Sequence, residues 1–387
     1  MKVLISAGEV SGDRYAAQLV EALRRRFSGT EFFGCAGPCL RAAGVRPVVD
    51  AEKLAVVGLV EVLSHLPQIR REFQRLWQSA QGERPDLAIL TDAPDFHLRL
   101  AKKLWGAGIP VIYLVAPQVW AWRRWRVRLI RRTVTRLLCI FPFEEAFFRR
   151  HGVAATYIGH PLAGKLAPAL GRQEFFRKHR LREERPLIAL LPGSRRGEAA
   201  RHLPVLLAAV RELQAGRPIS FVLAASSATG QRFFLERIAG EGIQVVEGET
   251  CESLAYADLA LVASGTATVE SALLGTPMVS FYRVHPASWM LGKWFLQTPF
   301  YSMVNLLANR RVVPELIQGD CTGSRLASEA RRLLEDPARA AGMRRDLAAV
   351  AQQLRSESDA MDRAVQVIED VLRAQGKLRP EGVVRSF

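Results

Sequence analysis

Cysteine is scarce and scattered. The chain has five cysteines in 387 residues. Cys35 and Cys39 are the only close pair, and their spacing fits neither a disulfide scaffold nor a zinc knuckle. All five are therefore expected as free thiols. Long hydrophobic runs are missing too: no apolar stretch reaches the roughly 20 residues that cross a bilayer. The opening Met1-Lys2-Val3-Leu4-Ile5 reads as a strand, with no charged leader or cleavage site before it. The protein is thus expected in the cytoplasm. Acidic residues are outnumbered, 38 against 54 Lys and Arg, which leaves a net charge of +16. The second half has no carboxylate cluster with metal-ligand spacing, so neither a metal nor a cofactor is expected.

Apolar residues make up 49% of the chain, enough for two sizeable cores. Short Val/Ile/Leu/Ala strands alternate with longer helical patterns, the signature of an α/β protein. In the first half, strands are expected at Lys2–Ala7, Glu31–Cys35, Leu87–Thr91, Val111–Val115, Arg136–Ile140 and Thr156–Ile158. In the second half they are expected at Leu187–Leu191, Ser220–Ala224, Gln244–Val246, Leu259–Ala263 and Met278–Phe281. A polar, charged break runs from Gly164 to Arg185, and a helical pattern runs from Ser324 to Ala374 before a frayed tail. These boundaries give two Rossmann-like domains, 1–165 and 166–345, followed by C-terminal helices and a tail over 346–387. That last part can pack on its own first domain or on a second copy in a homodimer. The basic excess is uneven. Residues 1–165 carry 25 Lys and Arg against 14 Asp and Glu, and the other 222 carry 29 against 24, so +11 of the +16 lies in the first domain. That half should prefer polyanions, anionic surfaces or phosphorylated substrates.

In parallel α/β sheets ligands bind at the carboxyl ends of strands, which directs attention to four loops. Gly8-Glu9-Val10-Ser11-Gly12-Asp13 makes a tight turn into a helix. Ser11 and Asp13 read first as helix caps, whereas Glu9 stands at the strand tip. In Thr91-Asp92-Ala93-Pro94-Asp95-Phe96-His97, Asp92 directly follows an apolar strand, where it can take a proton from a substrate hydroxyl. Asp95 reads as a cap and His97 as packing within the helix. The loop Leu191-Pro192-Gly193-Ser194-Arg195-Arg196-Gly197-Glu198 joins a buried strand to a helix N-terminus, an anion site reinforced by the Arg195 guanidinium. Ala263-Ser264-Gly265-Thr266 does the same, with Glu270 one turn on, either against the helix dipole or on ribose hydroxyls.

Aromatics and arginines interleave in Pro117-Gln118-Val119-Trp120-Ala121-Trp122, followed by Arg123, Arg124, Trp125, Arg126, Arg128 and Arg131. This pattern suits single-stranded nucleic acid, a membrane interface or a solvated helix face. A second aromatic stretch contains Trp289 and Trp294, and Lys293 and Pro299 keep it from spanning a bilayer. Tyr282 and Arg283 end the strand before it. Asn305 sits in an apolar context and needs a partner.

Together these loops resemble the lipid A disaccharide synthase family, from the first strand to about residue 365. The motifs that carry the resemblance are Gly8–Asp13, Asp92–Phe96, Pro117–Trp122, Leu191–Arg195, Ala263–Thr266 and Asn305–Leu307. Ala116, His97 and Gly164 depart from the pattern, where Ser, Asn and Asp are usual. The resemblance implies a GT-B glycosyltransferase of lipopolysaccharide biosynthesis, with two Rossmann-like domains facing across a cleft. The implied reaction joins UDP-2,3-diacylglucosamine to 2,3-diacylglucosamine 1-phosphate with inversion, giving the β-1,6-linked disaccharide 1-phosphate and UDP. The implied location is the inner face of the cytoplasmic membrane, held peripherally, with no nucleic-acid partner. Within that frame Asp92 is the expected base. Gly193, Ser194, Arg195, Glu198, Gly265, Thr266, Glu270, Tyr282, Arg283 and Asn305 are expected on the UDP-sugar. Glu9, Ser11, Gly12, Asp95, Gln118 and Trp120 are expected on the acceptor side. Trp122, Arg124, Arg128, Arg131, Trp289 and Trp294 are expected at the membrane. The alternatives are another UDP-sugar GT-B enzyme, such as an epimerase or a cell-wall transferase, and an RNA-binding protein using the Trp/Arg segment.

Overall fold

A computed structural model of the protein describes residues 1–51, 59–286, 289–290 and 298–378, with backbone only over 59–65. The chain divides into two compact units. One comprises Met1–Pro161 with Ser356 onward, and the other Leu162–Arg355. Each is built on one all-parallel sheet.

The first sheet has seven strands: β1 (Lys2–Ala7), β2 (Glu31–Ala36), β3 (Arg46–Asp50), β4 (Leu87–Thr91), β5 (Val111–Leu114), β6 (Arg136–Cys139) and β7 (Ala155–Tyr157). Their spatial order is 3-2-1-4-5-6-7. The second has six: β8 (Leu187–Leu191), β9 (Ser220–Ala225), β10 (Ile243–Glu247), β11 (Leu259–Ala263), β12 (Met278–Tyr282) and β13 (Glu315–Ile317), in the order 10-9-8-11-12-13. Central strands read as unbroken apolar runs because helices cover both faces; β4, β8 and β11 are buried along their whole length. β3 and β13 are absent from the sequence expectations. Both are half-exposed sheet edges; β13 is short, and β3 carries Pro47 and two charged ends, so neither shows the apolar run of an inner strand.

The helical C-terminus is split between the units. Helices Gly323–Glu335 and Pro337–Leu354 belong to the second, whereas Ala360–Ala374 belongs to the first. Asp359 caps that last helix by accepting the Met361 N–H at 2.8 Å. Met361, Ala364, Val365, Ile368 and Leu372 form its buried stripe. It packs against the helix Val10–Arg26, and Arg26 makes a two-pronged pair to Glu369 at 2.9 Å. The expected frayed tail begins near the last described residue and lies largely outside the described residues. The five cysteines form no disulfide.

Candidate functional site

In each sheet the strand order reverses once, between β1 and β4 in the first and between β8 and β11 in the second. Helices leaving such neighbours go to opposite faces, and the crevice between their loops is where α/β sheets bind ligands. Four of the loops singled out in the sequence flank these two points.

At the first point Asp92 follows β4 in a left-handed conformation, φ +55°, and Ala93 follows at +38°. Its carboxylate turns back onto the loop after β1. Oδ1 accepts the Gly8 N–H at 2.8 Å and Oδ2 the Glu9 N–H at 3.1 Å. Gly12 makes this approach possible, since a Cβ there would lie 1.6 Å from Asp92 Oδ2. The backbone of Asp92 is clamped as well. Its carbonyl accepts the Tyr113 hydroxyl at 2.5 Å and His97 Nδ1–H at 2.9 Å. His97 Nε2 in turn accepts from the Ser6 hydroxyl at 2.7 Å, which assigns the Nδ1–H tautomer. Burial holds His97 neutral, lowering its pKa to about 4. His97 is therefore a packing residue, as its place inside the helix suggests, but one that fixes a strand-tip carboxylate half-open to solvent.

The neighbouring candidates have other partners. Asp13 is buried and caps a different helix, Pro38–Ala42, accepting the Gly37 and Cys39 N–H groups at 2.8 Å. Asp95 does not cap the helix Pro94–Gly106, whose cap residue is Ala93. It pairs instead with Arg123 and Arg126. Glu9 stands at the N-cap position of Val10–Arg26, with Ser11 half-buried beside it. Gln118 is exposed, but Trp120 turns inward. Its indole N–H donates to Glu144 at 3.1 Å and its ring meets Phe143 edge-on. Burial raises the Glu144 carboxyl pKa to about 8.

At the second point, Gly193 adopts φ +114°, and the Glu198 carboxylate fills the space where a side chain would go; a Cβ would lie 2.4 Å from Glu198 Oε2. Glu198 also accepts the Tyr282 hydroxyl; burial, with the Glu198 charge beside it, raises the Tyr282 pKa. The helix Arg196–Gln214 thus carries a carboxylate in its own first turn. The helix Thr266–Leu274 across the reversal has no acidic residue in its first turn, and Gly265 and Thr266 are exposed at its start. An incoming anion therefore meets less repulsion there than at the Gly193 turn, where the sequence places it first. Arg195 is half-buried at the cap position of the first helix, and Glu270 is half-buried one turn into the second.

Two buried residues hold these loops. His202 Nδ1–H donates to the Pro192 carbonyl at 2.7 Å, and Nε2 accepts the Arg283 N–H at 3.0 Å. This neutral ring, its pKa lowered by burial, ties the end of β8 to the end of β12. The sequence gives no sign of this role, because a histidine among Leu203, Val205 and Leu206 looks like core. Asn305 finds the partners it needs. Oδ1 accepts the Val312 and Val313 N–H groups, and Nδ2 donates to the Val313 carbonyl and Glu315, all within 2.9 Å. Its amide is fully used within the chain, where it shapes the segment up to Glu315. Ser264 reaches the same region by donating to the Tyr301 carbonyl at 2.9 Å.

Trp122 is 41% exposed and Trp125 67%, with Arg124, Arg128 and Arg131 exposed along the same segment. Trp289 is half-buried against Tyr301, and Trp294 lies outside the described residues. Among the described residues no helix is long and apolar enough to cross a membrane, and no group of three His, Cys, Asp or Glu is arranged to hold a metal.

Comparison with known proteins identifies the family and the fold. The family model described as lipid-A-disaccharide synthetase matches residues 3–368. The lipid-A-disaccharide synthase of Solibacter usitatus is 59% identical, covering 97% of this chain and 98% of its own. That of Koribacter versatilis is 42% identical, covering 96% and 98%. Among solved structures, the UDP complex of MnaA from S. aureus superposes with a TM-score of 0.67 at 13% identity, covering 98% of each chain, which speaks for the fold.

Proposed function

The chain belongs to the lipid-A-disaccharide synthetase family, and from that premise we propose the roles of its site residues. The protein has the GT-B fold and is a glycosyltransferase that makes the lipid A disaccharide 1-phosphate. The 6-hydroxyl of 2,3-diacylglucosamine 1-phosphate attacks the anomeric carbon of UDP-2,3-diacylglucosamine. The new C–O bond forms as the bond to the diphosphate breaks, the hydroxyl proton goes to Asp92, and UDP leaves. One displacement inverts the anomeric centre, which gives the β linkage.

The observation that carries this reading is Asp92. It is a carboxylate at the reversal point of the basic unit, pinned by two backbone N–H groups, with its carbonyl clamped by Tyr113 and His97. Charge that develops on the departing diphosphate is stabilised by Arg195 and by the open start of the helix Thr266–Leu274. Glu198 and Tyr282 shape the Gly193–Ser194 turn, His202 fixes it relative to Arg283, and Glu270 takes the ribose hydroxyls. Glu9, Ser11 and Gly12 build the acceptor side with Asp92. The reading is tested by UDP release, which is expected only when donor and acceptor are both present. An epimerase would convert the donor alone.

Both substrates carry acyl chains, so the enzyme has to meet a lipid surface. The segment from Trp122 to Arg131 supplies that contact: Trp rings suit the headgroup layer and arginines suit lipid phosphates. Each Arg near an anionic surface contributes about 1 kcal/mol, enough in sum for reversible binding. Sedimentation with anionic liposomes at low salt is expected for the wild type. Replacing Arg124, Arg128 and Arg131 with Ser is expected to reduce it without changing UDP affinity. A wild type that stays in the supernatant, or a triple variant that sediments as well as the wild type, contradicts the membrane role. An RNA-binding protein would instead bind generic RNA with a steep salt dependence and leave UDP alone.

A further inference from the structure

Two guanidinium groups in the first unit have no part in the reaction as derived above. Arg126 closes the short turn Arg124–Arg126, and its side chain is only 6% exposed. It pairs with the Asp95 carboxylate, and Arg123 Nη1 reaches both oxygens of that same carboxylate at 3.1 Å. Asp95 is 64% exposed, so the cluster opens to solvent through its carboxylate. Two cations share one anion, and one of the cations is buried. Burial, together with the neighbouring Arg123 charge, pulls the Arg126 pKa down against the support of Asp95. A second anion would relieve both costs.

The guanidinium groups are also pre-oriented. Arg123 lies 4.3 Å over the Trp122 ring and Arg126 lies 5.4 Å over Trp125. Backbone strain collects at the same place. Asp92, Ala93, Val115 and Arg123 are all left-handed, at φ +55°, +38°, +65° and +58°, in the loops that follow β4 and β5. For a β-branched residue such as Val115 this is a costly conformation, of the kind retained where it shapes a site. The two loops leave neighbouring parallel strands, about 4.8 Å apart at their tips. The buried Tyr113 phenol on β5 is within electrostatic reach of Asp92, Glu9, Arg126 and Asp95.

Asp95 follows Asp92 by three residues, so the cluster and the candidate base share one stretch of chain. If the function proposed above holds, the acceptor carries its attacking hydroxyl on C6 and a phosphomonoester on C1, on the two sides of the ring oxygen and within one sugar ring of each other. A base for the first therefore needs an anion receptor for the second at a neighbouring strand end. We propose that Arg123 and Arg126, with Asp95 as their resident counter-ion, form the subsite for the acceptor's phosphomonoester. Guanidinium forks match phosphate oxygens two at a time, which a lone lysine or a helix dipole does not.

The test compares two acceptors, 2,3-diacylglucosamine 1-phosphate and phosphate-free 2,3-diacylglucosamine, in steady-state kinetics. The wild type is expected to show a KM about tenfold or more higher for the phosphate-free acceptor, the size of one charge-assisted contact. Arg123→Gln and Arg126→Gln are each expected to raise the KM for the phosphorylated acceptor by a similar factor. The KM for the phosphate-free acceptor and for the UDP donor should stay put. Arg126 is buried, so a melting curve accompanies its variant; should Arg126→Gln not fold, the half-exposed Arg123→Gln decides alone. A wild type with no preference between acceptors, or variants that keep the preference, overturns the subsite while the transferase stands. A wild type that makes no disaccharide from either acceptor overturns the function itself.

Discussion

Asp92→Asn is expected to lower turnover by about a hundredfold or more, the usual loss when a positioned general base is removed. UDP affinity should hardly change, because UDP contacts are assigned to the other unit. Asparagine keeps the size and one acceptor oxygen, so it can still take one of the N–H groups of Gly8 and Glu9. It turns an NH2 toward the other, so a melting curve accompanies the variant and separates lost chemistry from lost structure. Two other carboxylates stand close by and serve as controls. Glu9 is at the N-cap position of the first helix and Asp95 is held between Arg123 and Arg126. Wild-type turnover in Asp92→Asn, with activity abolished in Glu9→Gln or Asp95→Asn, would move the base to one of them.

Arg195→Ala is expected to weaken UDP binding by about 1.5–3 kcal/mol, roughly a tenfold to hundredfold-plus loss in affinity, and to slow transfer with it. The reason is local. The turn beside Arg195 already holds the Glu198 carboxylate over Gly193, so a diphosphate there meets a negative charge that a cation has to offset. Deleting Arg195 leaves the repulsion and removes the attraction. Calorimetric titration with UDP reads this directly. Equal affinity in variant and wild type refutes Arg195 as a diphosphate ligand and leaves the helix start at Gly265–Thr266 as the anion site.

Much of the fold and the loops that carry the candidate site residues can be read from the sequence because the signals are local. Apolar runs end in Gly, Pro, Asp or Ser at the tips of β1, β4, β8 and β11, and that pattern marks a strand-to-loop-to-helix passage wherever it occurs. The edge strands β3 and β13 escape because an edge need be apolar on neither face. What joins the loops escapes for a different reason. Asp92 meets Gly8 across 84 residues of chain and His202 meets Arg283 across 81. No periodicity encodes such contacts; they follow from strand order. The same holds for Asn305: the need for partners is visible in its apolar setting, but that the segment Val312–Glu315 uses its whole amide is not. Trp120 shows the limit of composition. Its loop suggests an acceptor-side residue, yet its N–H is spent on the buried Glu144, whereas Trp122 and Trp125 stay outside.

The central claim is that this chain joins two acylated glucosamines and releases UDP. Mass analysis of the products formed from UDP-2,3-diacylglucosamine and 2,3-diacylglucosamine 1-phosphate tests it directly. The account predicts one disaccharide 1-phosphate, with UDP in equal amount, and neither product when the acceptor is left out. A donor consumed without acceptor, or no species at the disaccharide mass, would contradict it.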